Sequence, residues 1–211
     1  MADIIGTGMI EAVFFDFGGV IARLDREHTR ALEEKYGLPR GGLLDALYGI
    51  PEWVEAETGR LPEEEWLRAV LRRLEEMAGR PIDGITHEWQ IVWRQLDEEM
   101  LALVRRLQGR YRVGLISNST PRLERELLEA NGIAELFEVV VNSSRVGIAK
   151  PDPQIFRLAA DRLGVAPQHC VHIDDLIQNV QGARQAGFQA ILHRGDVPTT
   201  IAALRGLGVH V

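Results

Sequence analysis

The sequence predicts an α/β fold: a three-layer core built on a parallel sheet, with a small helical insert after the first strand. Three observations carry that reading. Ala12-Val13-Phe14-Phe15 runs without a polar break into Asp16, and Gly18-Gly19 follow. A short apolar run bounded by turn residues is the pattern of a strand buried on both faces. From Asp97 onward, helical and strand patterns alternate in units that suit βα crossovers, which means parallel strands covered by helices. Residues 23–95, in between, show charges at helical spacing and no convincing strand.

Taken in order, residues 1–9 read as a loose tail, without a basic region or an apolar run of signal-peptide length. The insert opens with a helix from Arg26 to Tyr36 closed by Gly37, then a shorter one from Gly41 to Tyr48. Pro62 to Met77 is the clearest helix. Pro62 suits the first helical position, and Glu63, Glu64 and Glu65 complement the positive end of the dipole. Trp66, Leu67, Val70, Leu71, Leu74 and Met77 then form one apolar stripe. A helix over about Ile85 to Leu96 puts Trp89 and Trp93 on one face, as core packing.

In the second part, a helix bearing Met100, Leu101, Val104 and Leu107 leads to a strand from Arg112 to Ile116. Thr120 caps the next helix, with Pro121 in first position and Gly132 at its end. Phe137 to Val141 is a strand, and Asp152-Pro153 starts a helix that Gly164 closes. Cys170 to Ile173, a helix over Ile177 to Ala186, a strand over Gln189 to His193 and a helix over Thr199 to Leu204 complete the alternation. The expected organisation is a core of residues 10–22 and 96–211, with an insert of residues 23–95.

Composition narrows the function. At 211 residues the chain holds one sizeable core, or one core and a smaller insert. With 45% hydrophobic and 26% charged residues it is ordinary for a soluble globular protein. A net charge of −7 argues against a nucleic-acid backbone binder, though not against a phosphorylated small molecule. No segment approaches the ~18–20 apolar residues of a membrane span, so a cytoplasmic protein without a membrane partner is expected. Cys170 is the one cysteine and reads as inert core, which rules out an intrachain disulfide and a Cys-rich zinc site.

Four strand ends carry residues that packing does not explain. In open α/β sheets ligands bind beyond the carboxyl ends of the strands. Asp16 stands at the end of the first, presented to solvent, as a candidate nucleophile or metal ligand. Ser117-Asn118-Ser119 offers a hydroxyl and backbone N–H groups able to cradle a phosphate oxygen. Lys150, held extended by Pro151, can neutralise charge among carboxylates. Asp174 and Asp175 are adjacent carboxylates at the end of a buried strand, costly without a cation. Oxygen ligands suit a hard ion such as Mg²⁺. Asn179 falls on the first turn of the following helix and can reach back. His172 reads as structural, and His87 lacks the second histidine of a zinc-protease helix.

Asp16, Ser117, Lys150 and Asp174-Asp175, in this order and each at a strand end, resemble the four motifs of the haloacid dehalogenase (HAD) superfamily. The resemblance covers the chain from about residue 10 onward and implies a Rossmann-like core with a small cap. Asp174, Asp175 and Asn179, together with Thr58-Gly59-Arg60-Leu61-Pro62-Glu63-Glu64, resemble the phosphatases of sugar phosphates such as glucose 1-phosphate. The phosphatase-like domain of soluble epoxide hydrolases is a further neighbour. The resemblance implies a Mg²⁺-dependent phosphatase of a small phosphorylated metabolite; the sequence leaves monomer and homodimer both open. Asp16 would form an aspartyl-phosphate. Asp16, the Gly18 carbonyl and Asp175 would hold Mg²⁺. Asp174 would orient a water or Lys150, and Ser117 and the Asn118 N–H would hold the phosphoryl group while Lys150 balances charge.

One position departs from that pattern. Family phosphatases usually carry a general acid two residues after the nucleophile, and this chain has Gly18. General acid–base help is worth about 10²–10⁴-fold. Two other readings therefore stand beside the phosphatase: a dehalogenase-type hydrolase, and an impaired binding module on the same fold. Trp53, Tyr48, Trp89 and Arg94 are candidates for insert residues that face the substrate.

Overall fold

A computed structural model describes residues 9–88 and 95–211. Its centre is a five-stranded sheet, ordered β5-β4-β1-β6-β7, in which every neighbouring pair is parallel. The strands are β1 (Ala12–Phe15), β4 (Arg112–Ser117), β5 (Val139–Asn142), β6 (Cys170–Asp174) and β7 (Gln189–Leu192). The apolar run that opens the chain is buried on both faces, as its composition requires. Val13 and Phe15 belong to one hydrophobic cluster, Ala12 and Phe14 to the other. Helices α6 (Glu98–Leu107) and α10 (Val197–Gly206) supply the first layer, α8 (Pro153–Leu163) and α9 (Ile177–Gln185) the second.

After β1 the chain builds outward through β4 and β5, then returns to the other side of β1 for β6 and β7. The strand order therefore reverses at β1, and the crevice at such a point is where α/β sheets bind ligands. Register fixes which residues meet there. Phe15 pairs with Leu115 on one side and Ile173 on the other, so Asp16 lies level with the last residues of β4 and β6.

The insert lies between two short antiparallel strands, β2 (Ala22–Arg23) and β3 (Gln95–Leu96). Arg23 closes this neck on Asp97 at 2.5 Å. Helices α1 (Arg26–Tyr36), α2 (Gly42–Tyr48), α3 (Pro51–Glu57), α4 (Glu63–Ala78) and α5 (Ile85–Glu88) follow one another there. Their apolar faces form a third cluster around Leu43, Trp66, Val70 and Leu74.

Several expectations shift. Arg23 and Gln95 belong to strands, because two residues at the neck find backbone partners that no local pattern announces. Helix α3 was not foreseen: it has two turns and one buried residue, Ala56, too little for a periodicity. Pro62 is the N-cap of α4 and not its first residue. The helix from Pro121 becomes a π-helix over Leu123–Glu129, closed by a bond from Ala130 N–H to the Arg125 carbonyl. The last helix begins earlier, at Val197, because Asp196 caps it through the Thr199 N–H. Helix α5 gives way to β3 before Leu96, while Trp89, Trp93 and Arg94 lie outside the described residues, as does the tail through residue 8.

Gly114 marks how closely the central strands pack: a Cβ there would lie 2.5 Å from the Phe14 ring and 2.9 Å from Val139. Gly114→Ala is expected to lower stability by about 1–3 kcal/mol, the cost of overpacking a tight core. Urea unfolding measures it, and an unchanged midpoint would show that the sheet yields there.

Candidate active site

Asp16, Lys150, Asp174 and Asp175 come together at the carboxyl ends of β1 and β6. Asp16 is 7% exposed, so it is buried in the crevice and not presented to solvent, contrary to the expectation from the strand end alone. Its Oδ1 accepts from the Phe17 N–H at 2.6 Å and lies 2.9 Å from the Lys150 ammonium. The same ammonium donates to Asp174 Oδ2 at 2.7 Å. Carboxylate oxygens of Asp16, Asp174 and Asp175 all lie within 4.8 Å of one another.

Asp174 is wholly buried and fully engaged. Oδ1 accepts from the Leu176 N–H at 2.9 Å and from Asn179 Nδ2 at 3.0 Å. Oδ2 accepts from Lys150 and, at 3.0 Å, from His172 Nε2. A carboxylate only accepts, so the His172 proton sits on Nε2. Burial lowers the His172 pKa and keeps the ring neutral. Its Nδ1 is the one buried side-chain polar atom without a partner among the described residues.

The charges do not balance. Burial pushes Asp16 up to about 7 despite the pull of Lys150, with Asp174 and Asp175 adding to the rise. Burial also raises Asp175, with Asp174 next to it as the second cause. For Asp174 burial is outweighed by Lys150 and His172, which hold it well below the usual carboxylate range. For Lys150 burial is likewise outweighed, by Asp16 and Asp174, and its pKa rises. One ammonium thus faces three carboxylates, two of them buried and Asp175 exposed, and the deficit falls on Asp16 and Asp175. A hard, oxygen-ligated divalent cation fits that donor set.

The turn after β1 makes room for Asp175. Its backbone bonds use the carbonyls of Phe17 and Ala22, not that of Gly18. Gly19 has φ +76, and a Cβ on it would fall 2.1 Å from Asp175 Oδ2. Only glycine lets Asp175 approach the turn this closely.

Ser117 ends β4 and is buried. The loop after it is tied to the segment after β5 by side chains. Asn118 donates from Nδ2 to the Lys150 carbonyl at 2.9 Å and accepts the Lys150 N–H at 2.8 Å. Ser143 Oγ accepts from the Ser119 N–H at 3.0 Å, and Asn142 Nδ2 donates to the Thr120 carbonyl at 2.9 Å. The amide of Asn118 therefore sets the position from which the Lys150 side chain departs. The sequence had suggested only its backbone N–H.

The insert reaches this loop. Gly59, just past α3, lies so close to α7 (Ser143–Val146) that a Cβ would meet the Ser144 carbonyl at 2.3 Å. Glu63 pairs with Arg122 at 3.4 Å, both largely buried. Glu57, the last residue of α3, faces the Asn118 amide and the Trp53 indole and feels the charge of Lys150. Nothing in the sequence singled out Glu57, which stands one residue before the stretch Thr58–Glu64. Trp53 packs against Tyr48 (5.0 Å) and Trp66 (5.2 Å), on the side of the insert that carries Glu57.

Lys150→Met leaves Asp174 and Asp16 buried without their shared cation. A loss of about 3–5 kcal/mol is expected, measured by urea unfolding in EDTA. A variant as stable as the parent would contradict the charge arrangement described.

Comparison with known proteins agrees with this architecture. The family model for haloacid dehalogenase-like hydrolases matches residues 10–187. A phosphatase of Mycobacterium tuberculosis is 31% identical over 194 residues, covering 87% of each chain. A D-ribitol-5-phosphate phosphatase of Bacteroides thetaiotaomicron is 26% identical over 190 residues, 86% of this chain and 90% of that one. A HAD-family hydrolase of Bacillus subtilis, solved bound to magnesium, superposes with a TM-score of 0.71 at 18% identity, covering 94% of this chain and 100% of that chain. The chain belongs to the haloacid dehalogenase-like hydrolases.

Proposed function

We propose that this hydrolase is a Mg²⁺-dependent phosphatase of small phosphorylated metabolites, sugar phosphates included, acting through an aspartyl-phosphate on Asp16. The observation that carries the reading is the sharing of one buried lysine by Asp16 and Asp174 beside Asp175, an arrangement short of positive charge. The relatives named as phosphatases support the reaction class.

Asp16 is the nucleophile. Its Oδ1 is fixed by the Phe17 N–H and Lys150, which aims the carboxylate into the crevice. The carboxylates of Asp16 and Asp175 and the carbonyl of Gly18 would hold Mg²⁺, which supplies charge neutralisation for the transferring phosphoryl group. Asp174 stays ionised, holds Lys150 in place and is itself fixed by Asn179. Ser117 Oγ and the Asn118 N–H would bind phosphoryl oxygens, with Lys150 as the protein's own positive charge at the site. Helices α1–α5 act as a cap whose Trp53 side faces the leaving group.

With p-nitrophenyl phosphate as substrate, release of nitrophenolate is expected to need Mg²⁺, stop in EDTA and vanish in Asp16→Asn. Nitrophenolate release that survives EDTA would remove the Mg²⁺ requirement, whereas chloride release from a 2-haloacid with EDTA present would replace the phosphatase reading with a dehalogenase one. Gly19→Ala displaces Asp175 and should weaken Mg²⁺ binding by about 10–100-fold, the usual range for residues that orient a ligand. Titration calorimetry on the unfractured fold, checked by circular dichroism, measures it; unchanged affinity would remove Asp175 from the ligand set.

A further inference from the structure

A carboxyl group that can hand a proton to the departing oxygen is missing from the turn after β1, where Gly18 has no side chain. The structure brings a different one to the site. Glu57 closes α3, and the stretch that follows it meets the core through the Gly59–Ser144 approach and, at the start of α4, the Glu63–Arg122 pair. Its carboxylate faces Asn118, the residue after Ser117, and lies within the field of Lys150. It is half-buried, on the insert side of the crevice. We propose that Glu57 is the general acid and base of the reaction, supplying from the insert the proton transfer that position 18 cannot; the proposal rests on the phosphatase reading above.

The chemistry balances with Glu57 alone. Asp16 attacks phosphorus and forms the new P–O bond; the ester P–O bond breaks, its electron pair goes to the leaving oxygen, and the Glu57 carboxyl gives that oxygen its proton. The resulting Glu57 carboxylate then takes a proton from the water that attacks the aspartyl-phosphate. Free phosphate departs, Asp16 is released and Glu57 ends protonated as it began. The environment suits both halves of the cycle. Burial pushes the Glu57 carboxyl up to about 7, against the opposing pull of Asn118, Lys150, Trp53 and Arg60. A group poised near neutrality can both give and take a proton. Trp53 on the insert and Asn118 on the core both act on the carboxylate, so its surroundings depend on the contact between the two parts.

Glu57→Gln and p-nitrophenyl phosphate test this directly. Nitrophenolate leaves without needing a proton, so the variant should still phosphorylate Asp16 and release one equivalent of nitrophenolate in a burst. The steady rate that follows, limited by loss of the base, should fall by about 10²–10⁴-fold. Glu57→Asp should recover part of that rate, and binding of inorganic phosphate with Mg²⁺ should persist in both variants. A steady rate within about threefold of the parent, far short of the general-base range, would overturn the assignment. So would a joint loss of burst and phosphate binding, which would mean that Glu57 only keeps Asn118 and Lys150 in place. Should the unaltered protein release no nitrophenolate at all, the phosphatase reading itself falls, an outcome distinct from either failure of the variant.

Discussion

The whole site hangs on one buried ammonium set among three carboxylates. Lys150 touches Asp16 and Asp174 at hydrogen-bond distance, while Asp175 stands beside them without a cation of its own. Buried ion pairs are held only when geometry and further hydrogen bonds make up for lost hydration. Here that support is unequal. Asp174 receives bonds from a backbone N–H, an amide, an imidazole and the lysine, and remains charged. Asp16 receives one backbone N–H besides the lysine, and its ionised form is disfavoured. The contrast separates an acid held in its charged form from one that is not. Asp174 fixes the lysine; Asp16 is left in need of positive charge, the condition that favours a divalent cation beside it.

The fold exists, from the site's point of view, to bring distant segments into that one arrangement. β1 supplies Asp16 and β6 supplies Asp174, and they are level because Phe15 and Ile173 are in register. Lys150 comes from the loop before α8, and its placement depends on a side chain from another strand end, through the paired bonds of Asn118 to its backbone. Gly19 admits Asp175 to the turn. Each device is small, and each acts on backbone position more than on side-chain choice.

That distinction explains what was legible in the sequence. Asp16, Ser117 and the Asp174-Asp175 pair stand out because each follows the apolar run of its strand, and burial on both faces is written in composition; Lys150, expected at a strand end as well, lies instead in the loop before α8, separated from β5 by α7. The parallel sheet and its layers follow from the alternation after Asp97. What stayed hidden depends on contacts between segments far apart in sequence. The two-residue strands at the neck have no pattern of their own, since each exists only by pairing with the other. The side chain of Asn118 looks like an ordinary turn former until Lys150 is placed beside it. The burial of Asp16 depends on neighbours distant in sequence, Lys150 among them, so the strand end alone misjudged its exposure. Glu57 sits among Glu52, Glu55, Glu63, Glu64 and Glu65, and nothing local separates it from those acids.

Placing the proton-handling group on the insert has a physical consequence. An acid two residues after the nucleophile would be in position whenever the core is folded. Glu57 is in position only when the insert lies against the core, where Gly59 meets the Ser144 carbonyl and Glu63 meets Arg122. The same contact narrows access of water and strengthens the electrostatic influence of Lys150 on whatever is bound. Exclusion of water and provision of the acid are then one event rather than two. Without the insert in contact, Asp16 faces a leaving group that has no proton source, and the site holds its charges without completing turnover. On the proposed assignment Gly18 does not mark a damaged site. It moves the proton step from the core to the segment that meets the leaving group, and so ties the chemistry to the fit of the substrate beneath Trp53.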